Sequence, residues 1–296
     1  MSVKYNAQSR RSFFIFVMPA FLFFLVFMAL PMVGSLIYSF TNWNGIAPFF
    51  KFVNFRNYIE IFTEDDRFKS ATLFTLNFTL VMVLLQNGLA LLMANLIANL
   101  KATRKFFQTV FFLPNMISAI VGAYMLKFIF LKVFPELGKH FSWVGFLNQP
   151  WMADPFFSFW AIVLVSLWVG LGYVIIIYLA ALATVPKEME DQVLLDGPGP
   201  LQKFFRVTFP MIMPAVTICT FLTINNSLKA FDLIFGLTNG GPGWSTASIS
   251  LNLFYDAFST TMRMGYSCAK AIILFIMILT VSLLQINLMK KREVEL

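Results

Sequence analysis

The chain has 296 residues, of which 59% are hydrophobic, 17% aromatic and only 12% charged, with a formal net charge of +8. A soluble domain of this size carries about 25% charged residues, so the mean hydropathy of +0.77 weighs against one and favours a lipid-embedded chain. The positive charge does not imply nucleic acid, because no basic face stands outside the flanks of the apolar runs.

Residues 12–50, 70–100, 106–126, 155–186, 207–228 and 271–289 contain no Asp, Glu, Lys or Arg, and each run is 19 residues or longer. A bilayer-spanning helix needs about 20 residues. In chain order, helix 1 is expected at 13–38, with kinks at Pro19 and Pro31. It is too long for a secretory signal and has no small-residue cleavage site, so it reads as an uncleaved span. A loop over 41–70 carries FVNFRNYIEIF. Helix 2 follows at 71–98 and helix 3 at 107–130. The segment 131–156 holds Trp143 and Trp151, residues suited to a membrane interface. Helix 4 is expected at 157–182, a charged stretch at 183–209, helix 5 at 210–232 and helix 6 at 267–289. A seventh charge-free run, 233–255, contains GLTNGGPGWST, whose glycines, proline and hydroxyls are turn chemistry, so it reads as a loop. The expected fold is all-α, a polytopic membrane protein with six transmembrane helices in one domain over 1–296.

An even number of spans puts both termini on one side. Lys4, Arg10, Arg11, Lys101, Arg104, Lys105, Lys187, Lys203, Arg206, Lys290, Lys291 and Arg292 then flank the spans on that side, more densely than the basic residues of the other loops. The bias matches the positive-inside rule and makes both termini and the 183–209 stretch cytoplasmic.

No chemistry of the chain's own is expected. There is no GxxxxGK[ST] loop to cradle phosphates. The single histidine, His140, lies in an outer loop, and no Ser/His/Asp or Cys/His set assembles at one depth. Cys219 and Cys268 fall in or at membrane helices, so neither a disulfide nor a metal site is expected. No cofactor and no catalytic residue are expected.

The stretch KEMEDQVLLDGPG, residues 187–199, breaks the apolar pattern. Thr184 is suited to cap a helix and Pro186 to sit in its first turn. Glu188, Glu190 and Asp191 then lie near the positive end of the helix dipole. Gly197 and Pro198 end the helix after about ten residues, or roughly 15 Å. Met189, Val193 and Leu194 form one apolar stripe, and Leu201, Phe204 and Phe205 form another after the bend. The residues themselves leave two readings open: an ordinary interfacial hairpin, or a rigid knob that fits a partner's groove.

The segment WVGLGYVIIIYLAALATVPKEMEDQVLLDGPGPLQKFFRVTFP resembles the EAA region of permease subunits in binding-protein-dependent ABC importers, and is most similar to the carbohydrate branch that includes the maltose permease. FDLIFGLTNGGPGWSTASISLNLFYDAF, PMVGSLIYSF, FVNFRNYIEIF and FFLPNMISAIV fit the same branch, so the resemblance covers nearly the whole chain. It implies a type I ABC importer transmembrane domain in a bacterial inner membrane. It further implies a second, homologous permease subunit, two ATPase subunits and an extracytoplasmic solute-binding protein. The family's EAA loop docks into a cleft on the ATPase. By position, Glu188 begins that motif, Asp191 stands where a glutamate is usual, and Asp196-Gly197 matches its turn. The usual Ala-Ala pair is Gln192-Val193 here, and Pro198 replaces a usual small residue.

Gly170 lies near the midpoint of helix 4, and Asn225 is eleven residues beyond Pro214, about 16 Å along a helix. Two polar patches therefore share one depth: Ser166, Trp168, Gly170, Gly172 and Tyr173, and Thr223, Asn225, Asn226 and Ser227. Helix packing is one reading, since small and hydroxyl residues join membrane helices. A sugar site is the other, with amides for hydroxyls and aromatic rings for sugar faces. The resemblance implies solute contact at Ser166, Gly170, Tyr173, Thr223, Asn226 and Ser227. Lys229 and Asp232, at i, i+3, are expected to pair locally, with contact to an acidic sugar as the alternative. A sugar or oligosaccharide is the expected solute. Glycerol phosphate or a polyol, an ion-driven secondary transporter and a membrane enzyme or assembly factor remain the rival readings.

Overall fold

The computed structural model describes residues 7–100, 102–186, 199–259 and 262–291. Every regular element among them is helical, apart from one isolated bridge between Thr41 and Phe52. The helices are α1 (Ala7–Phe24), α2 (Leu30–Tyr38), α3 (Arg56–Thr63), α4 (Asp66–Ala98), α5 (Arg104–Phe112), α6 (Ala119–Phe128), α7 (Phe134–His140) and α8 (Pro155–Leu182). They continue with α9 (Pro200–Lys203), α10 (Phe209–Met211), α11 (Met213–Leu228), α12 (Asp232–Leu237), α13 (Ile249–Phe258) and α14 (Met264–Lys290).

Four stretches are long and apolar enough to cross a bilayer unbroken: Phe13–Tyr38, Asp66–Ala98, Pro155–Leu182 and Met264–Lys290. Two more qualify as bent pairs. Arg104–Met116 meets Ala119–His140 at 95°, and Leu201–Met211 meets Met213–Leu228 at 75°. Taking each pair as one span gives six. The helices expected as continuous at 107–130 and 210–232 are therefore broken. In the first, Leu113–Met116 tightens into a 3₁₀ turn around Pro114, and Ile117 is extended at ψ 136°. In the second, Ile212 leaves the helical region, and the chain restarts with Pro214 in the first turn of α11, where a missing N–H costs no helical bond.

Proline also explains three wide turns. The π-helical stretches Leu25–Ala29, Ile129–Val133 and Phe204–Thr208 each end two residues before a proline: Pro31, Pro135 and Pro210. A proline ring in a helix collides with the carbonyl four residues earlier and offers it no hydrogen. Those carbonyls belong to Phe27, Leu131 and Arg206, each at the centre of its π stretch. Widening the turn by one residue clears the ring while the helix goes on. Pro31 thus acts through a π turn, whereas Pro19 sits inside α1.

Two spans begin earlier than expected, at Asp66 rather than 71 and at Pro155 rather than 157. Asp65 accepts a hydrogen bond from Phe68 N (2.8 Å), which opens α4. Asp154 accepts from Phe156 N (2.9 Å) and Phe157 N (3.2 Å), which opens α8 with Pro155 in its first turn. Each carboxylate caps its helix, and α4 starts ahead of its charge-free run.

The chain divides into two compact units. One comprises Met1–Glu64 and Leu253–Ile273. Its α3, cut from FVNFRNYIEIF, is fixed by Asn57, whose Nδ2 donates to the carbonyls of Ser39 (2.8 Å) and Thr41 (2.9 Å). Arg263 pairs with Glu60 at 2.7 Å and lies 3.9 Å from the centroid of the Tyr266 ring. The hydrogen bond that Arg263 donates to Glu60 pushes the guanidinium pKa still higher. Lys270, near the start of α14, is 1% exposed and bonded to Asp256.

The other unit comprises Asp65–Asn252 and Leu274–Leu296. Ala90 and Ala94 of α4 pack with Val174, Ile175 and Tyr178 of α8 and with Cys219 of α11, all fully buried. The alanines, one turn apart, bring the helices close, which is how membrane helices gain packing without a water-driven hydrophobic effect. Gly172 allows a still closer crossing: a Cβ there would lie 2.3 Å from the Phe111 carbonyl oxygen. The run 233–255, read as a loop, is helical at both ends, in α12 and α13, and the turn region is the stretch 238–248 between them, with Gly240 at φ +84°. It is tied inward by Thr246, whose hydroxyl donates to the Gly241 carbonyl (2.6 Å), and by Ser248, which donates to the Ala230 carbonyl (2.6 Å).

Candidate functional site

Within the larger unit, α4, α8, the 3₁₀ turn after α5 and the α11–α12 junction surround a cavity of about 410 Å³. Ser166, Gly170 and Tyr173 line it from α8, and Asn226 and Ser227 from α11. The i, i+4 and i, i+7 spacing of Ser166, Gly170 and Tyr173 keeps them on one helix face. Asn226 Nδ2 donates to the Tyr173 hydroxyl at 3.1 Å, so two of the sequence-derived residues touch across the cavity.

The remaining members of the two polar patches lie elsewhere. Thr223 is fully buried and outside the cavity wall; its hydroxyl donates to the Cys219 carbonyl (2.9 Å) and receives Asn87 Nδ2 (3.2 Å). Asn225 points away to Ser282 Oγ (3.2 Å). Gly172 packs on the Phe111 backbone, and Trp168 is 38% exposed and absent from the wall. Both readings of the patches thus apply, to different residues: packing for Thr223, Asn225 and Gly172, and the cavity for the others.

Sequence reasoning missed two amides. Gln86 of α4 is 3% exposed and donates to the Gly170 carbonyl (2.8 Å). Asn115, in the turn that breaks the α5–α6 span, donates to the Val169 carbonyl (3.3 Å). Both line the cavity. Beside Gln86, Asn87 accepts from the Tyr178 hydroxyl (3.0 Å). The adjacent Gln86-Asn87 pair inside a charge-free run was the available signal, since a buried amide needs partners.

Lys229 and Asp232 also line the cavity. They do not share a helix as expected, because α11 ends at Leu228 and Asp232 begins α12. Among the described residues no ion pair joins them. The wall therefore carries one exposed cation and one exposed anion in a lining of hydroxyls, amides and apolar groups.

Glu188, Asp191, Asp196 and Gly197, expected from the resemblance to couple to the ATPase, lie outside the described residues. Thr184, expected to cap their helix, donates its hydroxyl to the Ala181 carbonyl (2.8 Å) at the end of α8. Among the described residues no group of three His, Cys, Asp or Glu side chains is placed to hold a metal.

A multi-pass, all-helical chain with a polar cavity between apolar spans is of the membrane permease class. Residues 86–293 match the family described as binding-protein-dependent transport system inner membrane component, and the chain belongs to that family. The resemblance carried by the EAA region and the TNGGP loop is thereby borne out. The chain is similar to the probable starch degradation products transport system permease protein AmyD of Thermoanaerobacterium thermosulfurigenes, at 34% identity over 96% of each chain. It is also similar to the multiple sugar-binding transport system permease protein MsmF of Streptococcus mutans, at 34% identity over 91% of this chain and 92% of that one. In fold it matches a chain from the crystal structure of a bacterial ABC transporter involved in the import of the acidic polysaccharide alginate. The TM-score is 0.79 at 23% identity, covering 95% of this chain and 96% of the other.

Proposed function

We propose that this chain forms half of the translocation pathway for a sugar or oligosaccharide in an ABC importer. A second permease subunit supplies the other half, and an extracytoplasmic binding protein delivers the solute. Two ATPase subunits grip the 183–209 loop through Glu188, Asp191, Asp196 and Gly197, and both termini are cytoplasmic. Nucleotide-driven closure of the ATPases moves that loop, and the spans bearing Ser166, Gly170, Tyr173, Asn226 and Ser227 reorient around the solute. Hydrolysis belongs to the partners.

The observation that carries this reading is the cavity itself: hydroxyl and amide groups from separate spans converge beside an aromatic ring in an otherwise apolar bundle. Thr223 contributes from behind the wall, holding Asn87 rather than solute. The names of the two sugar-system relatives support a carbohydrate. The charge balance of the wall supports a sugar over glycerol phosphate, because a phosphate dianion would meet one lysine and one repelling carboxylate. The test is uptake at saturating loaded binding protein. Tyr173→Ala and Asn226→Ala should each lower it about tenfold while binding-protein affinity is unchanged, the loss of one buried polar contact being worth about 1–2 kcal/mol. Normal uptake by both variants would remove the cavity from the pathway.

A further inference from the structure

Gly170 invites assignment as a solute contact, but the structure gives it a different neighbour. A Cβ at position 170 would stand 2.7 Å from Gln86 Nε2, 3.4 Å from its Cδ and 3.6 Å from its Oε1. The amide group approaches the bare backbone of α8 nitrogen first, and its Nε2 donates to the Gly170 carbonyl at 2.8 Å. Only a residue without a side chain lets a glutamine from α4 come this close to the α8 main chain.

The contact sits at the cavity. Gln86, Gly170 and Tyr173 all line it, and Tyr173 is one turn along α8 from Gly170. On the next residue of α4, Asn87 accepts from the Tyr178 hydroxyl at 3.0 Å and donates to Thr223 Oγ1 of α11 at 3.2 Å. Two consecutive amides thus fasten α4 to α8 on one side and to both α8 and α11 on the other. A helix held at its backbone carbonyl and again two turns later cannot rotate about its axis. The rotation of α8 is what sets where the Tyr173 ring and hydroxyl stand against Asn226, 3.1 Å away.

We propose that Gln86 is a positioning residue of the solute pathway: its amide occupies the space left by the missing Gly170 side chain, locks the rotation of α8 and so presents Tyr173 to the solute. Glycine is required at 170 by Gln86, not by the sugar. This rests on the cavity being the pathway.

The test uses the assembled importer in proteoliposomes with saturating loaded binding protein, reading solute taken up per ATP hydrolysed beside the melting temperature. Gly170→Ala should push the Gln86 amide off the Gly170 carbonyl and lower uptake per ATP about tenfold. Adding Gln86→Ala to Gly170→Ala should recover melting temperature, because the new methyl group enters vacated space, but not uptake per ATP, because the positioning amide is gone. Gln86→Met alone keeps the volume and removes the hydrogen bond. It should lower uptake per ATP about three- to tenfold with ATPase activity retained, a split that a merely structural residue would not produce. A double variant no more stable than Gly170→Ala, or one with normal uptake per ATP, overturns the proposal. So does a Gln86→Met importer with normal uptake per ATP. Failure of the pathway reading looks different: there Tyr173→Ala and Asn226→Ala transport normally, while the Gly170–Gln86 compensation still shows in the melting temperature.

Discussion

Replacing Gly172 with alanine tests how α8 is seated. A Cβ at this position would lie 2.3 Å from the Phe111 carbonyl oxygen, 2.7 Å from Phe112 Cα and 2.8 Å from the Phe111 carbonyl carbon. All three atoms are backbone, so no rotamer change relieves the contact. Reaching an ordinary 3.4 Å requires the two segments to part by about 1 Å. Overpacking of this kind costs about 1–3 kcal/mol, and the upper end applies because neither side can yield locally. At about 2–4 °C per kcal/mol for a chain of this size, the melting temperature should fall by about 5–10 °C. The same movement strains the bond from Asn115 to the Val169 carbonyl (3.3 Å), so uptake should fall as well. Gly88→Ala is the control: nothing lies within 4 Å of that Cβ, and the helix gains about 0.5–1 kcal/mol from the better helix former. The assay is thermal denaturation of the purified importer, with uptake beside it. If Gly172→Ala melted and transported like Gly88→Ala, the close crossing of α8 over the Phe111–Phe112 backbone would be refuted.

The buried pair in the smaller unit should respond unequally to its two neutralising changes. Asp256→Asn leaves the Lys270 ammonium, 1% exposed, without its carboxylate and should cost about 3–5 kcal/mol. Lys270→Met leaves a carboxylate that is 27% exposed and reaches water, so chemical denaturation should show a smaller loss, and the double variant should recover part of the larger one. Tyr178→Phe removes the 3.0 Å bond to Asn87 and should cost about 1 kcal/mol. Asn87→Leu, which strips both Tyr178 and Thr223 of a partner, should cost more by the same measurement. Replacing Gly197 with tryptophan should separate the permease from its ATPases in pull-down while membrane insertion survives; an intact complex with normal uptake would count against the coupling role of the 183–209 loop.

Much of the architecture was legible because charge avoidance is a one-dimensional signal. An ionised side chain is costly in hydrocarbon, so runs free of Asp, Glu, Lys and Arg marked all six spans. Direction is a different matter. Hydropathy over 107–130 is the same whether the helix is straight or turns by 95° after Pro114, and only the backbone reveals the break. Helix ends were missed for a related reason. Asp65 and Asp154 stand outside the apolar runs, yet they cap helices that start before the expected positions 71 and 157. The partner of Lys270, fourteen residues earlier at Asp256, could not be inferred from spacing. At the cavity, helical periodicity brought Ser166, Gly170 and Tyr173 to one face, and depth matched them to Asn226 and Ser227. Depth says nothing about azimuth, however, and so Thr223, Asn225 and Trp168 were grouped with residues they do not join. Gln86 and Asn115 come from spans outside the pair first considered, and only the packing of α4 and the broken α5–α6 span against α8 brings them in.

The central claim is that this chain is a passive half-channel driven by nucleotide-consuming partners. The most direct measurement is solute accumulation in proteoliposomes containing this chain with its partner permease, the ATPases and the binding protein, compared with the chain alone. The account predicts accumulation that requires ATP and every partner and falls with Tyr173→Ala. Accumulation by the chain alone, driven by a proton or sodium gradient without ATP, would contradict it.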